Sequence, residues 1–353
     1  MKILYGAVTM GDGHFSRACA IVPRLRAAGL DVDVVFSGDH SSGLKVAAEK
    51  VRPYRAFYGL TYVRHEGRVN YSRTISRFRP GRLRRDYRSL GGRYDLVITD
   101  FEPLTAWWGR NRNIPVIGIS HHYALWGPAP RPRRPDPLAE AIIRWYAPVD
   151  VPIGLHWRPT TPTTLPPVIR PEVAGAAPHR AGHVLFYLPS YTAPTIDALC
   201  RDERLRGYRF IAYPRKDDYE PRASNLTLKP FSRQGFAADL AAADAVVTNA
   251  GFTLLSECFH LGKPVYSVPE AGQREQQINA AALRKWDLAI CSPTLRAGEL
   301  AGWLRNPPPG RPTPFPNVVD AFVNWITGGM NGTPERLAER LWEQVDTGNG
   351  CGA

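Results

Sequence analysis

The stretch Val247-Thr-Asn249-Ala-Gly251-Phe252-Thr253-Leu-Leu-Ser-Glu257 constrains this chain more than any other. An apolar run at 245–247 enters a turn of small residues, and an apolar segment leaves it and runs to Gly262, which predicts strand, tight turn and helix. Gly251 lets a ligand come close to the backbone, and the amides at the helix start, near Phe252 and Thr253, form an anion site. Glu257, one or two turns further on, would be repelled by an anion, so it suits neutral hydroxyls such as those of a ribose. A second strand at 264–268 then delivers Glu275 and Gln276, an acceptor and an amide that suit sugar hydroxyls. Phosphate, ribose and hexose together describe a nucleotide sugar.

The 353 residues exceed one ordinary domain, so two are expected. Residues 1–158 read as the first, 159–180 as a connection rich in proline and threonine, 181–328 as the second, and 329–353 as a helix and tail. The chain is 44% hydrophobic, yet no apolar run approaches the roughly 20 residues of a membrane span. It opens directly on a strand with no signal-like apolar segment, so the expected location is the cytoplasm, with the inner membrane face open to it as a peripheral site. Cys19, Cys200, Cys258, Cys291 and Cys351 are scattered, without zinc spacing, and are expected to be reduced.

The formal charge of +13 attracts anions: a nucleotide diphosphate, an acidic acceptor, a membrane surface or nucleic acid. Ten arginines between residues 63 and 93, Arg64 and Arg68 among them, face only Glu66 and Asp86. They form either a solvated helix face or a surface for an acceptor or membrane.

Along the chain, Lys2–Val8 reads as a buried strand, residues 9–14 as a glycine turn and residues 15–28 as a helix that stops at Gly29. Strands at 94–100 and 114–120 deliver Asp100 and Glu102, then His121 and His122. In a parallel α/β unit these strand ends and the glycine turn with His14 converge on one edge. A second α/β unit opens with the strand 183–188 and Ser190.

Three motifs now stand together: Gly11-Asp-Gly13-His14-Phe-Ser-Arg17, Asp100-Phe-Glu102-Pro103, and Asn249-Ala-Gly251-Phe252 with Glu257 and the later Glu275-Gln276-Gln-Ile-Asn279-Ala280. With them the chain resembles GT-B glycosyltransferases, in particular the family 28 group that includes the peptidoglycan N-acetylglucosaminyltransferase, and a less studied bacterial and archaeal branch of it. The resemblance implies an α/β fold of two Rossmann-like domains facing each other across a cleft, with C-terminal helices free to pack back on the first domain. It implies an inverting transfer, without a metal or other cofactor, from a nucleotide sugar such as a UDP-sugar to a hydroxyl or other nucleophile of a small-molecule or lipid-linked acceptor.

Carried over position by position, Gly13 and Gly251 to Thr253 hold the donor diphosphate together with Ser190 and Asn249. Glu257 takes the ribose, Glu275 and Gln276 the transferred sugar, and Phe231 the base. His14 at a helix start suits the catalytic base, because the dipole disfavours its charged form, and Asp100 suits its partner. Asp100 or Glu102 can instead be the base. His121, His122, Arg64 and Arg68 are expected acceptor contacts. A nucleotide-sugar 2-epimerase of the same fold is the alternative. An oxidoreductase is disfavoured because Ser16 stands at the third glycine position. A nucleic-acid binder built on the arginine-rich stretch would lack the expected recognition motifs and interleaved aromatic platform, and no nucleic acid is expected as a partner.

Overall fold

The computed structural model describes residues 1–9, 12–38, 51–59, 64–65, 68–69, 71–214, 219–230 and 232–345. Its strands are β1 (Lys2–Val8), β2 (Asp31–Ser37), β3 (Tyr54–Phe57), β4 (Arg64–His65), β5 (Arg68–Val69), β6 (Leu96–Asp100), β7 (Val116–Ser120), β8 (Val151–Leu155), β9 (Thr164–Leu165), β10 (Val184–Tyr187), β11 (Phe210–Ala212), β12 (Leu226–Leu228), β13 (Ala245–Thr248), β14 (Val265–Ser267) and β15 (Ile290–Cys291).

One sheet runs β3-β2-β1-β6-β7-β8-β9 and the other β12-β11-β10-β13-β14-β15, and every pairing in both is parallel. Parallel strands are covered on both faces, which explains why β6, β7 and β13 are buried along their whole length. This is the two-domain, Rossmann-like GT-B architecture.

The strand order reverses between β1 and β6 in the first sheet and between β10 and β13 in the second. Crevices open at the carboxyl ends of strands at such points. The helix that carries His14 follows β1, Asp100 ends β6, Ser190 follows β10, and the Asn249-Ala-Gly251 turn follows β13. All the catalytic and most of the donor candidates therefore come from these four strand ends.

The helix after β1 begins at Asp12 rather than Phe15, so His14 and Arg17 both lie on it and their bonds to Asp100 hold its first turns. It continues through Pro23 to Ala27, and Gly29, with φ of 80°, ends it. The first sheet carries on through β9, inside the segment read as connection, where β9 pairs with β8.

The C-terminal helices return to the first domain. Val318–Thr327 packs across Asp12–Ala27 with an Arg24–Asp320 ion pair at 2.6 Å, and Pro334–Trp342 lies along β9, where Trp342 Nε1 donates to the Thr164 carbonyl at 2.6 Å. No helix among the described residues is long and apolar enough to cross a membrane.

The arginine-rich segment contains the helices Tyr71–Arg77 and Pro80–Ser89, and the second of these buries none of its residues. Arg64 and Arg68 lie on the β4–β5 hairpin, but their side chains fall outside the described residues, as does Phe231. Cys19, Cys200 and Cys258 are buried and Cys291 is half-buried.

Candidate active site

The first wall of the cleft is a buried charge cluster. His14 Nδ1 lies 2.7 Å from Asp100 Oδ1. Arg17, one turn further along the same helix, grips that carboxylate with Nε to Oδ2 at 2.7 Å and Nη2 to Oδ1 at 2.8 Å. Arg17 Nη2 is also 2.8 Å from His14 Nδ1. His14, Arg17 and Asp100 are 7%, 4% and 0% exposed. Burial opposes the charge on Asp100, but the Arg17 guanidinium, then His14, outweigh it and hold the carboxyl well below the usual carboxylate range.

Glu102 points elsewhere. Phe101 has φ of 57°, a left-handed conformation that turns the chain between the two acids. Glu102 then caps the helix Pro103–Arg110: it accepts from the Leu104 and Thr105 amides at 3.0 and 2.6 Å and from the hydroxyls of Thr105 and Ser37 at 2.6 and 2.8 Å. Burial still raises its proton affinity against these four donors. A side chain at Gly6 would strike Thr105 and Glu102, so this glycine of β1 makes room for the cap.

His122 is layered between Phe101, with ring centroids 3.9 Å apart, and His14, 5.4 Å away. Burial drives its imidazole down to about 3 against the pull of Glu275, so the ring is neutral near pH 7.

The second wall is β13, the turn Asn249-Ala-Gly251 and the helix Phe252–His260. Gly251 is the N-cap of Phe252–His260 and offers no side-chain cap, so the first amides of that helix have no side-chain partner there. A Cβ on Gly251 would meet nothing within 4 Å, so there is room beside this residue of the turn. Asn249 fixes the turn: its Oδ1 accepts from the Ser190 hydroxyl at 3.0 Å, and its Nδ2 donates to the Val268 carbonyl at 2.7 Å.

Glu257 is fully buried and takes a bidentate pair from Arg170, with both contacts at 2.5 Å. Burial works against the Arg170 charge, but Glu257 overcomes this and strengthens its hold on the proton. Gln276 Oε1 accepts from the Glu270 amide at 2.7 Å, which positions the start of the helix Arg274–Lys285.

The walls meet at three places. A Cβ on Gly13 would stand 2.6 Å from Thr253 Oγ1, so two helix starts face each other in near contact. The His121 ring stacks on Phe252 at 4.0 Å, its Nδ1 donates to the Leu155 carbonyl at 2.9 Å, and its Nε2 lies 2.8 Å from Asn279 Oδ1. Asn279 Nδ2 in turn donates to the Ala250 carbonyl at 2.9 Å. His122 Nε2 and Glu275 Oε2 are 3.6 Å apart.

The structure thus brings His14, Asp100, His121, His122, Gly13, Thr253, Phe252 and Glu275 to one junction, with Glu102 turned away into its cap. Sequence reasoning assigned no role to Arg17, Arg170 or Asn279. Arg17 had a signal, its spacing of three from His14 on a helix, and Asn279 stood inside a quoted motif. Arg170 had none, because its partner lies 87 positions away. No group of three or more His, Cys, Asp or Glu side chains among the described residues is arranged to hold a metal ion.

Residues 1–308 match the family model described as glycosyl transferase family 1. No curated protein sequence matches the chain. Among solved structures it is similar to SsfS6, a glycosyltransferase of Streptomyces sp. SF2575, at 19% identity over 98% of this chain and 100% of that one, with a TM-score of 0.53. The glycotransferase of kitacinnamycin superposes with a TM-score of 0.59 at 16% identity over 98% and 99% of the two chains. MurG of Acinetobacter baumannii does so with 0.52 at 15% over 97% and 99%. With its two parallel sheets, its facing strand ends and a family match across most of its length, the chain belongs to glycosyl transferase family 1 and is a glycosyltransferase of the GT-B fold.

Proposed function

We propose that the protein is an inverting glycosyltransferase that needs no metal and moves a sugar from a UDP-sugar to a hydroxyl of a small-molecule or lipid-linked acceptor. The observation that carries this reading is the near contact of Gly13 with Thr253, which sets the His14–Asp100 pair directly across from the open start of the Phe252–His260 helix.

In this reading the donor diphosphate docks on the amides of Phe252 and Thr253, beside Gly13, Ser190 and Asn249, where the helix dipole favours negative charge. The ribose role of Glu257 rests on the resemblance alone, because its carboxylate is fully buried and both oxygens are held by Arg170. Glu275 and Gln276 hold the sugar. His14 Nε2 removes the acceptor proton as the acceptor oxygen attacks the anomeric carbon from the face opposite the diphosphate, which leaves with the bonding pair and so inverts the centre. Asp100 keeps its negative charge and accepts from Nδ1, while Arg17 holds it in place; a carboxylate so depressed is a poor proton acceptor, which favours His14 over Asp100 as base. Glu102 is spent on its cap, which argues against it in that role. His121 and His122 border the acceptor side.

A thermal-shift screen of UDP, dTDP and GDP sugars tests the donor; the structure of SsfS6 with thymidine diphosphate makes dTDP the comparison to beat. Stabilisation by dTDP and not UDP would correct the base assignment. Release of nucleoside diphosphate that does not depend on an acceptor would favour the 2-epimerase instead. Retained turnover in His14→Ala would exclude His14 as the base.

A second reading concerns place: work at an anionic lipid surface. Trp107, Leu138 and Trp145 are 46%, 64% and 64% exposed. Leu138 and Trp145 are two turns apart on the helix Pro137–Trp145, and Trp107 Nε1 donates to the carbonyl of Tyr146 beside them. Pro80–Ser89, which buries none of its residues, packs beside Pro103–Arg110, the helix that carries Trp107.

A further inference from the structure

Arg17 is as buried as the pair it serves. We infer that Arg17 is a positioning residue that cancels the charge of Asp100, so that Asp100 can orient His14 without charging its ring. The inference rests on His14 being the base.

The geometry supplies the argument. A buried carboxylate bonded to a histidine normally does two things at once: it fixes the Nδ1 proton, and it stabilises the charged ring. Only the first helps a base, since a ring already charged near neutral pH has no lone pair to offer. Here both oxygens of Asp100 are taken by Arg17, at 2.7 and 2.8 Å, and Oδ1 also receives His14 at 2.7 Å.

The carboxylate and guanidinium form a neutral bidentate pair. Arg17 Nη2 lies as near to Nδ1, 2.8 Å, as it does to Oδ1, so a charged His14 would meet a cation as close as its anion. The His122 ring stacked on the other side is itself neutral and adds no charge to offset this. Glu275 also faces the cluster, across the cleft. The arrangement keeps the hydrogen-bonding partner and opposes its field with a cation at nearly the same distance.

The spacing makes this one device. His14 and Arg17 stand three apart on the helix Asp12–Ala27, the separation that brings side chains together on one face, and Asp100 closes the triangle from β6.

Ring 15N NMR of histidine-labelled protein reads the proton on His14 without any substrate, so this test stands or falls apart from turnover. In Arg17→Gln the uncancelled Asp100 should raise the midpoint of the His14 titration by about one pH unit or more, the effect of one opposite charge at this range. Arg17→Lys keeps the charge and should stay within a few tenths of wild type. Because Arg17→Gln leaves a buried carboxylate without its partner and can fail to fold, the same comparison is made on a neutral background. Adding Arg17→Gln to Asp100→Asn should raise the midpoint above that of Asp100→Asn alone. An unchanged or lowered midpoint in Arg17→Gln, or coincident titrations of the single and double variants, overturns the inference. If His14→Ala still turns over, His14 is not the base, but the NMR result is unaffected and the charge cancellation stands as a property of the cluster.

Discussion

Gly13 and Thr253 lie on opposite sides of the cleft, and a single added methyl group on Gly13 would come within 2.6 Å of the Thr253 hydroxyl. The two helices that begin there belong to different sheets. Their approach brings the expected donor site to the buried His14 cluster.

Gly13→Ala should therefore push the walls apart. Overpacking of this kind costs about 1–3 kcal/mol, and it should cut turnover at least tenfold while the donor still binds. Removing the obstructing hydroxyl in Gly13→Ala/Thr253→Ala should recover most of the stability. Urea unfolding of the two single variants and the double variant measures the coupling; simple additivity would show that the contact is not what limits approach.

The Arg170–Glu257 pair yields a prediction with two separable readouts. Glu257→Ala should abolish UDP binding in a calorimetric titration, and unchanged affinity would sink the ribose assignment. Arg170→Ala leaves Glu257 charged and alone in the core, which costs about 3–5 kcal/mol. Denaturant unfolding should show that loss, and Glu257→Gln in the same background should return part of it.

Stability should fall as the solution is acidified from neutral. Burial lowers His121, His122 and His156 from their ordinary value of 6.5, with His122 reaching about 3. Each depressed group contributes fully above 6.5, where both folded and unfolded states are neutral. Its contribution is lost as the pH drops toward the folded value, because only the unfolded chain takes up the proton. The slope is about 1.4 kcal/mol per pH unit for each such histidine. Asp100 adds the same trend only below its unfolded value of 3.8. Urea unfolding at pH 7, 6 and 5 measures the slope, which should be shallower in His122→Gln; a flat profile would contradict the burial argument.

The exposed aromatic and basic groups should bind vesicles containing an anionic phospholipid and release them as salt rises, because screening weakens the arginine contribution. Trp107→Ser/Trp145→Ser should lose most of this binding while donor affinity stays unchanged. Equal flotation of the variant and wild type, or binding to purely zwitterionic vesicles alone, would remove the lipid reading.

Much of the donor wall was legible because its meaning is local. Gly251, the apolar strand before it and the helix after it specify their geometry within a dozen residues, and the room beside Gly251 follows from that turn. The first wall was legible only as a set of strand ends. Asp100 and Glu102 read as equivalent acids two positions apart, which in a regular strand would share a face. The left-handed turn at Phe101 separates them, sending one to His14 and the other to a helix cap. Backbone torsions of that kind leave no mark in residue type, and phenylalanine is an unexpected residue to adopt one.

By itself the sequence determined the central strands and which chemical groups their ends carry, though not the outer β3 and β9, because periodicity, glycine turns and helix starts act over short distances. Only the tertiary structure decided the charge states and pairings: Arg17 on Asp100, Arg170 on Glu257 and Asn279 between His121 and Ala250. These joins span from 29 to 158 positions of chain. They exist because a buried charge must find a partner wherever the fold brings one near, and nothing in the neighbouring residues announces which partner that will be.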